Sequence, residues 1–384
     1  MSIRLTALYI FVAILLVYAW KDWFKSLCGL ILMMAIIEHE DMPKAMFGIQ
    51  GFNMWNLLFL GIFLAWLVNR RREGLTWDMP RHINVLLLLQ LVIILIGFGR
   101  LILDPAELSR TYGLRSLISE RLLNTIKWVL PGVLLFDGCR TRHRLILAIV
   151  CLLGLYFFVA AQLIWRIPAS VALEPETYQS AHIRLRFCQE LGYSAATLST
   201  MVAGASWAIL ASNQLIHRKK FKALLLGVAG MVLFSQSLTG GRGGYLAWGV
   251  VGLLLCTVKW RKYLVLFPIA LVGLSLILPG VVDRLSFGLY QVNITGESKL
   301  DRRAKDILSS GRTEFWPVVI DKIWESPLFG YGREGMSSSG AQENLLAEFG
   351  DSYDAGHPHN MYLQWILDNG IVGFVPIVLF YGIV

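Results

Sequence analysis

The chain has 384 residues, 56% of them hydrophobic and 16% charged, with a mean hydropathy of +0.58. That balance is too apolar for a soluble domain of this length and is that of a polytopic membrane protein. The net charge of +9 does not indicate a nucleic-acid partner, because many of the basic residues fall in short turns between apolar runs.

Those runs are mostly about 15 to 22 residues long, near the roughly 20 helical residues that cross hydrocarbon. A membrane barrel would instead alternate over segments of about ten residues. Spans are expected near 5–20, 26–37, 53–68, 83–99, 123–138, 145–164, 191–215, 223–238, 244–258, 263–280 and 359–384. The fold class is therefore all-α, a transmembrane helical bundle of about 11–12 spans with one large, partly helical outward-facing loop domain. Residues 1–280 form the bundle with short loops, 281–358 the loop domain, and 359–384 a C-terminal transmembrane helix. The first run has no convincing small-residue cleavage site and is expected to remain as a helix. The last stops at Val384 without a polar cap, which leaves room for the natural chain to continue.

Arg70-Arg71-Arg72, Arg140 to Arg144, Arg218 to Lys222 and Lys259 to Lys262 are dense in Lys and Arg, which places them in the cytoplasm. Two apolar runs separate each neighbouring pair, so segments 100–122, 165–190, 239–243 and 281–358 face outward. The first of these carries Arg100, Arg110, Arg115 and Arg121 beside leucines and reads as an amphipathic helix at the outer interface. Within the last, Thr313 to Trp324 has helical periodicity and Pro327 to Gly335 is a turn-rich break. The five cysteines form no CxxC or Cys/His pattern, so neither a structural metal nor a disulfide framework is expected.

Candidate chemistry concentrates on the outward side. Arg242 lies in Ser237-Leu238-Thr239-Gly240-Gly241-Arg242-Gly243-Gly244-Tyr245, between two apolar runs. The glycines let backbone and a ligand approach, and the guanidinium fork suits phosphate; an arginine snorkelling to headgroups is the competing reading. Arg312, in Ser310-Gly311-Arg312, stands at a helix start, and alone it reads as a surface or ion-paired residue. Pro358 suits a first helical position, which puts His359 in the first turn. Free N–H groups and the positive end of the helix dipole gather there, attract anions and leave the imidazole neutral and able to accept a proton. Arg184 and Arg186 point the same way in an extended segment, with solvent or headgroup contacts as the alternative.

Two arginines and a neutral histidine suit displacement of a pyrophosphate leaving group by a hydroxyl. No DxD, HExxH or Walker A pattern is present, and the outer compartment lacks ATP, so the energy must be stored in the substrate. A lipid-pyrophosphate-linked sugar meets that condition.

These residues resemble the O-antigen ligase and O-antigen polymerase superfamily of bacterial inner membranes. Three motifs carry the resemblance: Thr239-Gly240-Gly241-Arg242-Gly243, Ser310-Gly311-Arg312, and His357-Pro358-His359-Asn360-Met361-Tyr362-Leu363 followed by Asp368-Asn369-Gly370-Ile371-Val372-Gly373. It covers residues 180 to 384 well and the first half only through its spans. The resemblance implies a glycosyltransferase that needs no metal or cofactor, inverts the anomeric carbon and uses an undecaprenyl-pyrophosphate-linked glycan as donor. Arg242 and Arg312 would bind pyrophosphate and His359 would activate the acceptor, with Arg184, Arg186, His357 and Asn360 among the substrate contacts. The acceptor would be the lipid A-core glycan for a ligase or a carrier-linked repeat unit for a polymerase. Membrane lipids are the remaining partners, and the site would face the periplasm from the inner membrane. The ligase reading leads because the outward specialisation sits in one large loop. The polymerase, a protein O-oligosaccharyltransferase and a non-enzymatic lipid-glycan transporter are the alternatives.

Overall fold

The structure, a computed structural model, describes residues 3–37, 39, 42–43, 45–46, 49–50, 52–103, 117–127, 129–174, 178–265, 272–273, 276–286, 312–349 and 356–383. The main helices are Ile3–Ala19, Trp23–Met33, Met54–Arg72, Arg81–Leu103, Leu130–Gly138, Arg142–Arg166, Tyr178–Glu190, Ala195–Ser212, Lys219–Thr239, Arg242–Val258, Pro279–Ser286, Arg312–Glu325, Ala341–Phe349 and Met361–Ile383. Ala45–Met46 and Ile49–Gln50 pair as a two-residue antiparallel ribbon. The protein is a helical polytopic bundle. Among the described residues, five helices are long and apolar enough to cross a membrane by themselves: Arg81–Leu103, Arg142–Arg166, Ala195–Leu215, Lys219–Thr239 and Met361–Ile383. Leu5–Ala19, Trp23–Met33 and Arg242–Val258 are shorter apolar helices.

Side chains set several of the helix starts. Asp22, Asn53, Thr141 and Ser194 each accept a hydrogen bond from the backbone N–H three residues on, at 2.9–3.2 Å, satisfying a donor that the first turn leaves orphaned. The expected span over 123–138 is interrupted. A π-helical turn, Ile118–Leu123, and one helical turn, Asn124–Lys127, precede the Leu130–Gly138 helix, which begins beside Pro131, where the ring favours a start over a continuation. Most of the expected amphipathic segment 100–122, and much of the expected span 263–280, lie outside the described residues.

The chain divides into two compact units, residues 1–74 with 134–287 and residues 75–133 with 288–384. In the first, Trp23, Phe24, Leu27 and Leu30 are fully buried, where the Trp23–Met33 helix packs on Met54–Arg72 and Arg142–Arg166. At the arginine-rich end, the fully buried Asp137 accepts from Trp66 Nε1 (2.8 Å), Arg70 Nε (2.9 Å) and Arg140 Nη2 (3.0 Å). A buried carboxylate is tolerable because its lone pairs are met by charged donors. In the second unit, Phe315, Val319, Met336, Ala341, Leu345 and Leu367 make the core that joins the Arg312–Glu325, Ala341–Phe349 and Met361–Ile383 helices.

Candidate functional site

The second unit is assembled around a break in its last helix. Gly370 has φ 60° and ψ −171°, a region open to glycine alone. The break frees backbone groups in mid-helix, and the turn-rich segment 327–333 takes them up. Tyr331 and Gly332 N–H donate to the carbonyls of Leu367 and Asp368, both at 2.8 Å, while Ile371 and Val372 N–H donate to those of Pro327 (2.9 Å) and Leu328 (3.2 Å). Irregular backbone within an apolar helix requires such protein partners. The Arg81–Leu103 helix supports the same segment: Arg100 Nη1 donates to the carbonyls of Phe329 (2.9 Å) and Gly330 (2.6 Å), and Arg333 N–H reaches Gly97 O at 3.4 Å.

Beside this joint lies a cavity of about 690 Å³. Its lining includes His357, His359, Asn360, Gln364, Asp368 and Arg333. Asp368 Oδ1 accepts from Gly335 N–H (2.9 Å) and from Gln364 Nε2 (2.6 Å). Pro358 is buried between the exposed His357 and His359, and its carbonyl accepts from Trp316 Nε1 at 3.1 Å. The two imidazole rings lie with centroids 4.2 Å apart. Among the described residues, the non-glycine residues with positive φ are Glu334 (66°) and His359 (50°), and both line this cavity. Held, unfavourable backbone of that kind gathers at functional sites.

The helix start differs from the expectation. Asn360, not Pro358, ends the loop: its Oδ1 accepts from the N–H groups of Tyr362 (3.0 Å) and Leu363 (3.4 Å), and the helix begins at Met361. His359 therefore sits one residue before the cap rather than in the first turn, and Asn360 has taken first-turn donors that were expected to face an anion. Asparagine wins because its side chain satisfies two orphan donors, whereas proline at the first position only avoids presenting one.

In the first unit, the Lys219–Thr239 helix ends at Gly240, whose φ of 67° is left-handed, and the next helix starts at Arg242. The glycines serve mostly to bring helices together. A Cβ on Gly241 would meet Ser199 Cβ at 2.6 Å and Ala195 O at 2.8 Å, and one on Gly244 would strike Ser199. Ser199 Oγ also donates to Gly241 O at 2.9 Å. Gly243 alone of these four is helical with nothing within 4 Å of its missing Cβ. The expectation that the glycines give a ligand room is thus kept for Gly243 and replaced by helix packing for Gly241 and Gly244.

Arg184 and Arg186 do not share a direction. Residues Tyr178–Glu190 are helical, so positions two apart lie on different faces. Arg184 is buried, 9% exposed, and its Nη1 donates to Thr239 O at 3.0 Å, at the end of the helix that leads into the Arg242 turn. Arg186 has a 69% exposed side chain and pairs with Glu190 at 3.0 Å, which also pairs with Arg166 at 2.9 Å. Ser310 and Gly311 lie outside the described residues, and of Arg312 only the backbone, at the start of its helix, is described. The second unit thus gathers His357, His359 and Asn360 about one cavity, and the first sets Arg184 behind the turn that carries Arg242. Gln364, Asp368 and Arg333 were given no role from sequence, Asp368 entering only as the first residue of a motif. The signal was present for the first two, as polar residues four apart inside an apolar run.

Residues 233–378 match the family model described as O-antigen ligase, a stretch that contains Arg242, Arg312, His359, Asp368 and Gly370. A Haemophilus influenzae protein named as uncharacterised is 24% identical over 185 residues, 46% of this chain and 46% of its own length. A Rickettsia conorii protein, whose name gives it provisionally as a polysaccharide ligase, is 26% identical over 183 residues, 46% of this chain and 41% of its own length. The chain thus spans less than half the length of these curated relatives. No solved structure matches it.

Proposed function

Proceeding from an O-antigen-ligase-like domain over residues 233–378, we propose that the chain is a membrane glycosyltransferase that moves preassembled polysaccharide from undecaprenyl pyrophosphate to a hydroxyl of the lipid A-core glycan. The observation that carries the reading is the cavity in which His357, His359 and Asn360 meet, inside the matched segment. In the reaction, His359 removes the proton from an acceptor hydroxyl, and the oxygen attacks the anomeric carbon from the face opposite the carrier. The bond to the pyrophosphate oxygen breaks as the new glycosidic bond forms, so the configuration inverts. The departing pyrophosphate keeps the bonding pair, and Arg242 and Arg312 neutralise that growing charge, favouring the transition state over bound substrate. Asn360 fixes the backbone that carries His359, and the ring of His357, 4.2 Å away, limits its rotation. The site faces the periplasm from the inner membrane.

The test is reconstitution with carrier-linked glycan, offering lipid A-core in one reaction and carrier-linked repeat units in another. Product on lipid A-core supports the ligase. Lengthened carrier-linked chains would make the protein a polymerase, and donor left intact by folded protein with both acceptors would remove transferase activity toward them.

A further inference from the structure

Gln364 and Asp368 stand one turn apart on the last helix and both line the cavity of the second unit. Asp368 Oδ1 takes two hydrogen bonds, from Gly335 N–H and Gln364 Nε2. The amide presents its NH₂ end to Asp368 Oδ1, which turns Gln364 Oε1 away from it. That oxygen is buried and has no hydrogen-bond partner among the described residues. A buried acceptor left unsatisfied is costly, and among the described residues Asp368 Oδ2 has no donor either. The site therefore offers two neighbouring acceptors.

The ligand that answers this arrangement brings donors. The phosphates of a carrier-linked pyrophosphodiester bring none at neutral pH, and the Glu334 carboxylate in the lining disfavours their charge. An uncharged sugar ring brings adjacent hydroxyls, each able to donate. Trp365, also in the lining and stacked on Tyr381 with ring centroids 5.6 Å apart, adds a rigid apolar surface for the sugar C–H face. Arg333 in the same wall offsets the charge of Asp368.

We infer that this cavity is a saccharide subsite in which Gln364 Oε1 and Asp368 Oδ2 accept hydrogen bonds from hydroxyls of an uncharged sugar of the acceptor, beside His359. The assignment to the acceptor rests on the proposed role of His359; hydroxyl recognition does not. Buried acceptors of this kind discriminate strongly, because a deoxy sugar leaves them unpaired.

The experiment is titration calorimetry on the full chain in nanodiscs with three probes: a lipid-free neutral core oligosaccharide, undecaprenyl pyrophosphate without sugar, and carrier-linked glycan. The wild type should bind the oligosaccharide, and Gln364→Leu should weaken it at least tenfold while binding bare carrier as before, which also reports that the variant is folded. Asp368→Asn, which keeps the shape but exchanges the Oδ2 acceptor for an NH₂ donor that a sugar hydroxyl can still accept from, is the second variant, with a smaller loss expected. No oligosaccharide binding by the wild type, or equal binding by Gln364→Leu, overturns the subsite. Loss confined to the sugar-dependent part of carrier-linked glycan binding overturns the acceptor assignment. Gln364-dependent binding by a protein that transfers to no acceptor supports the subsite and sinks the transferase reading instead.

Discussion

Gly370 lies directly against the carbonyl of Leu328, so that a Cβ at position 370 would overlap the peptide joining Leu328 to Phe329. The obstruction is backbone on both sides and has no side chain to swing away. Gly370→Ala should therefore combine strain of about 1–3 kcal/mol from the glycine-only dihedrals with displacement of the 327–333 segment. Thermal unfolding of the purified protein in detergent measures it. Gly382→Ala, in the same helix with nothing within 4 Å, is the control and should leave the midpoint unchanged or slightly raised. Equal midpoints for the two variants would mean that the joint does not hold the unit together.

Arg100 holds the other side of that joint through two carbonyls. Hydrogen bonds from a charged donor contribute about 1.5–3 kcal/mol each when buried, and this guanidinium is only partly covered. A loss of about 1–2 kcal/mol is expected for Arg100→Met. Amide hydrogen exchange should locate it in residues 329–333. Protection unchanged there would show that the carbonyls find other donors.

Much of this was legible in the sequence, and the misses share a cause. Apolar length places the helices because crossing hydrocarbon is a property of one segment at a time. The motif ending in Gly370 and Gly373 could be seen, but not that Gly370 makes room for Leu328, since a close approach depends on what comes near. Similarly, Gly241 and Gly244 read as space for a ligand until Ser199 is known to fill it. His182 to Arg186 alternates polar and apolar and imitates a strand; its helix packs on Ala195–Ser212, so tertiary contact overrides the local pattern.

Arg184 reaches the last carbonyl of the helix before the Arg242 turn, so its role is to position that turn. Arg184→Met should keep the helix hydrophobic but release Thr239 O, raising the KM for carrier-linked donor about tenfold, or about 1.4 kcal/mol, with a smaller change in kcat. Arg184→Lys should recover part of the loss. Arg186→Ala removes only an exposed pair, worth about 0–1 kcal/mol, and should leave both constants unchanged. If Arg184→Met and Arg186→Ala behave alike, the buried contact does not govern the turn.

Gly243 separates ligand binding from packing at Arg242. Its missing Cβ faces open space, and it lies in the first turn of a helix that no side chain caps. Alanine there should cost the fold nothing and can stabilise the helix by about 0.5–1 kcal/mol. If pyrophosphate approaches the first-turn amides beside Arg242, the added methyl group stands in its way and the donor KM must rise while the unfolding midpoint holds. Gly244→Ala should do the reverse, lowering the midpoint because its Cβ meets Ser199, with Ser199→Gly restoring part of the loss. A Gly243→Ala protein with normal stability and normal donor KM would take the carrier away from this turn, and Arg242 would then be read as a headgroup contact.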